Sequence, residues 1–342
     1  MKPTNFAYLL TRYLGQYLPG QRNLSGQTIA SYRDTFKLLL RFCQTEQGWA
    51  AEQITLASLD RACLEGFLDW LESTRHCRVT TRNQRLAALR AFFRWVSYEA
   101  PEQLESTQRI LGIPWKKTHP PMMAYLTPDA LKILLAQPGQ ATPSSRRDTV
   151  LLAFLYDTAA RVQELADVVV RDIRLESPAI VTLTGKGSKS RQVPLMTATA
   201  TLVAAYLEEQ HLTRPEFRDH PLFYNRQRRP LSRWGIAYLL QKYMAQARAH
   251  ASVGFPETVS PHTLRHTKAM HLLQAGVNLI YIRDLLGHSD VSTTEIYARA
   301  DAEMTRQALE RARIPGVEVE ATAWTEDANL MQWLKNLGEP SF

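Results

Sequence analysis

Cysteine is scarce in this sequence. Cys43, Cys63 and Cys77 are odd in number, lack C-x-x-C spacing and have no histidines at metal-ligand spacing, so they form neither a disulfide framework nor a zinc site. A reducing, cytoplasmic setting is expected. Long apolar runs are missing too. No stretch of about eighteen apolar residues occurs, and the opening MKPTNFAYLLTRYLGQYLPG sets Arg12 and several polar groups inside its apolar pattern. Neither a membrane span nor an export signal is expected. There is no GxxxxGK[ST] loop and no cluster of Asp and Glu at two-metal spacing, so ATP use and Mg²⁺-dependent cleavage are not indicated. No cofactor, metal or small-molecule substrate is expected.

What is present suits a mainly α, two-domain protein. The 342 residues, 45% hydrophobic, can bury two cores of ordinary size. Periodic apolar segments run roughly from Asn5 to Leu18, Gly26 to Glu46, Leu59 to Glu72 and Val79 to Glu99, with Ser25 and Ser58 as expected N-caps of the second and third. Residues 1–112 are therefore read as a helical domain. The run IPWKKTHPPMMAYL, residues 113–126, carries three prolines and reads as an extended linker.

The second domain is placed at residues 127–314. It opens on LTPDALKILLAQ, with Thr127 as N-cap and Pro128 at the first helical position. A helix pair is expected from Ser144 to about Asp167, then a hairpin of Ala179 to Thr184 and Arg191 to Leu195 around GKGSKS. Helices resume at Thr197 to Glu209, Ser232 to Ala249, Pro261 to Gln274, Leu279 to Leu286 and Thr293 to about Arg313. A tail, residues 315–342, ends in a short amphipathic piece with Leu330, Met331, Trp333 and Leu334.

The net charge of +8 is unevenly spread: the tail is acidic, and no acidic residue occurs from Thr74 to Tyr98. Within that stretch Arg75, Arg78, Arg82 and Arg85 recur at helical spacing, followed by Arg90 and Arg94. An ordinary solvated face interleaves Glu with Arg, so an unpaired stripe is expected to meet a polyanion.

The densest chemistry lies in SPHTLRHTKAMHLLQAGVNLIYIRDLLGHSDVSTTEIYARA, residues 260–299. His262 and Arg265 share one face of a helix's first turn, where free backbone N–H groups suit a phosphate. His288 follows Gly287 at a helix end, and Tyr297 comes nine residues later. His-x-x-Arg, Leu-Gly-His and then Tyr resemble the C-terminal signature of the tyrosine recombinases, or phage integrases. Upstream, Thr158-Ala159-Ala160-Arg161-Val162-Gln163-Glu164-Leu165 is similar to that family's Thr-Gly-Leu-Arg-x-x-Glu-Leu, with Ala159 where the family has glycine and Ala160 where it has leucine. Gly185-Lys186-Gly187-Ser188-Lys189 matches the family's hairpin lysine, with Lys186 the better match and Lys189 its neighbour.

The resemblance implies a SAM-like helical core-binding domain, residues 1–112, and an α-helical catalytic domain with a small β-hairpin, closing on double-stranded DNA. It implies Tyr297 as nucleophile, Arg161 and Arg265 clamping the phosphate, His262 as base, Lys186 as general acid, His288 as a phosphate donor and Glu164 orienting the basic groups. DNA contacts are expected from Arg75, Arg78, Arg82, Arg85, Arg90, Arg94, Lys116, Lys117 and Lys189. A homotetramer on DNA, with the tail docking on its own domain or a neighbouring protomer, and a partner recombinase are further implications. The expected activity is site-specific cleavage and rejoining through a 3′-phosphotyrosyl intermediate in integration, excision or transposition. A type IB topoisomerase and a catalytically silent DNA-binding protein are the alternatives.

Overall fold

The computed structural model describes residues 4–118, 123–185, 187, 189–250, 254–288, 290, 292–300 and 332. Lys186 and the tail residues Leu330, Met331, Trp333 and Leu334 lie outside the described residues. The chain divides into two compact units, residues 1–121 and 122–342. No helix among the described residues is long and apolar enough to cross a membrane.

The first unit is helical. α1 (Asn5–Arg12) runs into a π-helical segment, Tyr13–Gln21, and α2 (Gly26–Glu46), α3 (Arg61–Ser73), α4 (Val79–Glu99) and α5 (Leu104–Leu111) follow. Side-chain oxygens start three of them: Thr4 accepts from the Ala7 amide, Ser25 from Thr28 and Asp60 from Cys63. Ser58 is thus not the cap of α3. Its hydroxyl closes a turn with Thr55, donating to the Thr55 carbonyl at 2.8 Å, and the carboxylate two residues on takes the helix end. α5 was not expected, because only a few apolar residues mark its short face; Ile110 and Thr107 are its buried ones. The core centres on Phe92, whose ring meets Phe36 and Tyr13 edge-on at 5.1 and 5.2 Å between centroids.

The arginine stripe divides by its partners. Arg82 is 4% exposed, and its Nη1 donates to the Pro114 carbonyl and to Asn83 Oδ1, both at 3.1 Å. Arg85 reaches across to α2, donating to the Ser31 carbonyl and Thr35 Oγ1. Arg90 lies over the Trp115 ring and donates to the Ile113 carbonyl. Lys116 pairs with Glu72 at 2.5 Å. Arg82 is therefore an internal tie, contrary to the expected phosphate contact, and the half-buried Arg85 is tied to α2, because helix spacing puts them on the side where α2 and the chain leaving α5 pass. Arg75, Arg78, Arg94 and Lys117 remain exposed.

The second unit packs α6 (Pro128–Ala136), α7 (Pro143–Thr158), α8 (Val162–Asp167), α9 (Thr197–Glu209), α10 (Arg233–His250), α11 (Pro261–Gln274), α12 (Leu279–Leu286) and α13 (Ser292–Ala300) with an antiparallel sheet of β1 (Ile173–Arg174), β2 (Ile180–Thr184) and β3 (Ser190–Pro194). The two-residue β1 widens the expected hairpin to three strands and is too short to show alternation. Val181 faces Val193 and Leu183 faces Arg191 across β2 and β3. Directly opposed residues share a sheet face, so Arg191 stands on the side that buries Val181, Leu183 and Val193. The Gly185 amide donates to the Lys189 carbonyl at 2.8 Å and closes the turn.

Candidate active site

Three chain corners meet around one carboxylate. α7 ends on Ala159 in the left-handed conformation, φ 48°, and the chain turns so that Arg161 precedes α8. Glu164, 3% exposed, accepts from the Arg161 amide at 2.9 Å and from Arg161 Nη1 at 2.7 Å. On its other side Arg191 forms a fork, Nη1 to Oε1 at 2.9 Å and Nη2 to Oε2 at 2.8 Å. Arg191 Nε then donates to the Leu285 carbonyl at 2.8 Å, tying β3 to the end of α12. Burial alone would raise the Glu164 pKa, but the hydrogen bonds from Arg191 and Arg161 and the Arg191 charge bring it down to about 2. Glu164 is a fixed anion that holds two cations in place.

Glycine is required twice here by space. A Cβ at Gly185 would sit 2.8 Å from Glu164 Oε1, and one at Gly287, φ 61°, 2.9 Å from Arg191 Cδ. These close approaches bring the hairpin and the end of α12 against the same ion pair. The result is an open cleft of about 650 Å³ lined by Arg161, Gly185, Lys189, Ser190, Arg191, Gly287, His288 and Thr293.

Arg265 is 3% exposed and donates to the Ala159 carbonyl at 2.7 Å and the Leu286 carbonyl at 2.5 Å, linking the turn before Arg161 to the turn before His288. Burial, with the Arg161 and Arg191 charges adding, lowers its pKa to about 10, so it stays a cation at neutral pH. His288 Nδ1 lies 3.0 Å from Thr294 Oγ1. Burial, then the charges of Arg265, Arg161 and Arg191, press its pKa down to about 4. A neutral imidazole can donate a hydrogen bond to a phosphate without adding charge. His262 is exposed on the first turn of α11, which Ser260 caps by accepting from the Thr263 amide.

Tyr297 is 1% exposed, among Ala159, Ala269, Met270, Leu273, Ile282 and Leu286. Its Oη lies 2.9 Å from His266 Nδ1. Burial raises its pKa, and the Arg265 charge opposes that shift. The structure thus gathers Arg161, Glu164, Arg265, His288 and Tyr297 within one network, with His262 at its edge and Lys189 on the cleft wall. Arg191 and His266 belong to it as well, and sequence reading missed both. The signal for Arg191 was a charge at an inward strand position; for His266 it was a place one turn after His262.

Comparison with known proteins gives a consistent answer. Residues 124–304 match the phage integrase family and residues 10–99 its N-terminal SAM-like domain. The chain is 34% identical to "Putative integrase/recombinase y4rC" of Sinorhizobium fredii over 98% of this chain and 99% of that protein. It is 32% identical to tyrosine recombinase XerD of Xanthomonas axonopodis over 87% of this chain and 94% of that one. Among solved structures it resembles the XerH site-specific recombinase bound to palindromic difH substrate, with a TM-score of 0.66 and 21% identity over 84% of this chain and 81% of that one. It also resembles the Tn1549 transposon integrase in complex with circular intermediate DNA, with a TM-score of 0.67 and 16% identity over 87% and 98%. Motif, fold and relatives agree that this chain belongs to the phage integrase family of tyrosine recombinases, the DNA strand-transferring enzymes.

Proposed function

We propose that the protein is a site-specific recombinase that cuts one DNA strand with Tyr297, holds the 3′ end as a phosphotyrosyl ester and passes it to the 5′-hydroxyl of another strand. Tyr297 Oη attacks phosphorus as the bond to the 5′-oxygen breaks, and Lys186 supplies the proton that the leaving oxygen needs. Arg161 and Arg265 hold the non-bridging oxygens, and His288 donates to the same phosphate. Because the ester formed is close in energy to the bond broken, no ATP is consumed. The observation that carries this reading is the Arg161–Glu164–Arg191 network, which lines a cleft next to His288 while Arg265 ties the same two turns together beside the cluster that holds Tyr297.

In this reading Arg75, Arg78 and Arg94 of the first domain, residues 1–112, and Lys117 of the segment that follows it contact the DNA backbone, and Lys189 contacts it from the hairpin. Four protomers exchange strands between two sites, and the substrate is the end or junction of a mobile element. Relatives named integrase or recombinase and the likeness to a transposon integrase support that role.

The test is covalent capture on nicked duplexes. A library of nicked duplexes of random sequence is incubated with the protein in EDTA without nucleotide, and SDS-resistant adducts are selected and sequenced. The chain should enrich particular sequences, and Tyr297→Phe should bind them without an adduct. A strict metal requirement, or adducts that persist in Tyr297→Phe, contradicts the mechanism. Ready relaxation of a supercoiled plasmid lacking the enriched sequence would make it a topoisomerase instead.

A further inference from the structure

The next inference rests on Tyr297 being the nucleophile. We propose that His266, and not His262, is the catalytic group that takes the Tyr297 proton. Both histidines stand on α11 one turn apart, yet they face different things. His266 Nδ1 is 2.9 Å from Tyr297 Oη, with the two rings 5.7 Å apart and tilted by 54°. His262 lies exposed at the start of the helix. A proton acceptor must stand within hydrogen-bond reach of the proton it removes, and His266 meets that requirement.

The surroundings make an acceptor necessary. Tyr297 is 1% exposed within a hydrophobic cluster, where a bare phenolate would be strongly disfavoured. An imidazolium at His266 in contact with the phenolate, with the Arg265 guanidinium nearby, offsets that charge. Burial, followed by the charges of His262 and Arg265, keeps His266 below the ordinary histidine range and therefore neutral at pH 7. In its Nε2–H tautomer the Nδ1 lone pair accepts from the Tyr297 hydroxyl.

The step balances without any further reactant. As the Tyr297 Oη–P bond forms, the phenolic proton passes to His266 Nδ1. As the P–O5′ bond breaks, the leaving oxygen takes a proton from the general acid, Lys186 in the reading above. On rejoining, the attacking 5′-hydroxyl gives its proton back to that lysine, and the His266 imidazolium returns its own to Tyr297. His262 is then left to the phosphate.

The experiment uses the full chain and a nicked duplex of a sequence enriched by capture. His266→Gln and His266→Phe, two replacements of different size in case one fails to fold, should each slow adduct formation by about 10²–10⁴-fold. Each is then combined with trifluorotyrosine at position 297, whose more acidic phenol needs less help to lose its proton. That replacement should restore most of the lost rate in the His266 variants and none of the deficit of His262→Gln. Packing alone would not respond to phenol acidity. His266 variants as fast as the parent, a slow variant that trifluorotyrosine leaves slow, or rescue confined to His262→Gln would each overturn the proposal. Adducts that persist in Tyr297→Phe would instead remove the nucleophile itself, and with it this proposal.

Discussion

Arginines at helical spacing in the first unit and arginines scattered over three corners of the second end up in opposite situations. Arg82 and Arg85 sit in a stripe with no carboxylate and donate to the carbonyls of Pro114 and Ser31. Arg161 and Arg191 come from an α7–α8 turn and a β-strand, yet share the two oxygens of Glu164 on the wall of a cleft. The Pro114 and Ser31 carbonyls come from neighbouring segments of the same unit and make Arg82 and Arg85 structural ties. A shared buried carboxylate fixes the direction of two guanidiniums while one of them, Arg161, stays 38% exposed at its side chain and open to an anion. Spacing along the chain tells which face a charge occupies, and the partner decides what it does.

The largest expected effect comes from breaking the shared carboxylate. Arg191→Met leaves Glu164 buried with one partner fewer and should cost about 3–5 kcal/mol of stability, with a loss of adduct formation of roughly 10²-fold or more. Denaturant unfolding and capture rate report the two effects. Adding Glu164→Gln to Arg191→Met should recover part of the stability and none of the rate, since the coupling belongs to the pair. A single Arg191→Met variant with parental stability would break the comparison at its stronger end.

Acidification should weaken the second unit. The folded pKa values of His262, His266, His271 and His288 lie below the ordinary value, so the unfolded chain binds more protons as the pH drops. That stability is fully present above pH 6.5 and is lost as the pH falls, for His288 down to about 4. Glu164 acts lower, between 4.5 and about 2. Tm should therefore fall from pH 7 to 5, and His288→Gln should flatten the slope; an unchanged slope would mean His288 is not held neutral.

In the first unit, Arg82→Met should cost about 1–3 kcal/mol, because the Pro114 carbonyl loses its donor, while the salt dependence of DNA binding stays as it was. Replacing Arg75, Arg78 and Arg94 together with Gln should do the reverse, leaving stability alone and making log K against log salt shallower by up to about 2.7 units. If Arg82→Met moved the salt slope and the triple variant did not, the division of the stripe would be wrong. The smallest effect is at Ala159. Glycine there relieves a left-handed φ of 48° but removes a methyl from the Tyr297 cluster, so Ala159→Gly should change stability by no more than about 1 kcal/mol.

In the sequence, α9, α11 and α12 were legible at both ends, α12 by its apolar stripe and α11 by Ser260 and Pro261 at its start. The π-helical segment through Pro19, the polar α5 and the two-residue β1 were not, since none has a pattern long enough to register. In the site, Arg161, Glu164, Arg265, His288 and Tyr297 stood out by motif. Arg191 and His266 take their meaning from partners 27 and 31 residues away, Glu164 and Tyr297, and no local pattern encodes those contacts. The stripe misled for the same reason: the carbonyls that absorb Arg82 and Arg85 lie 32 and 54 residues from them.

Digestion of the SDS-resistant adduct shows most directly whether the network around Glu164 serves a covalent bond at Tyr297. Trypsin and nuclease treatment followed by mass spectrometry should find the peptide spanning residues 284–299 carrying a nucleotide on Tyr297. A nucleotide on any other residue, or a DNA-linked band that still forms with Tyr297→Phe, would contradict it.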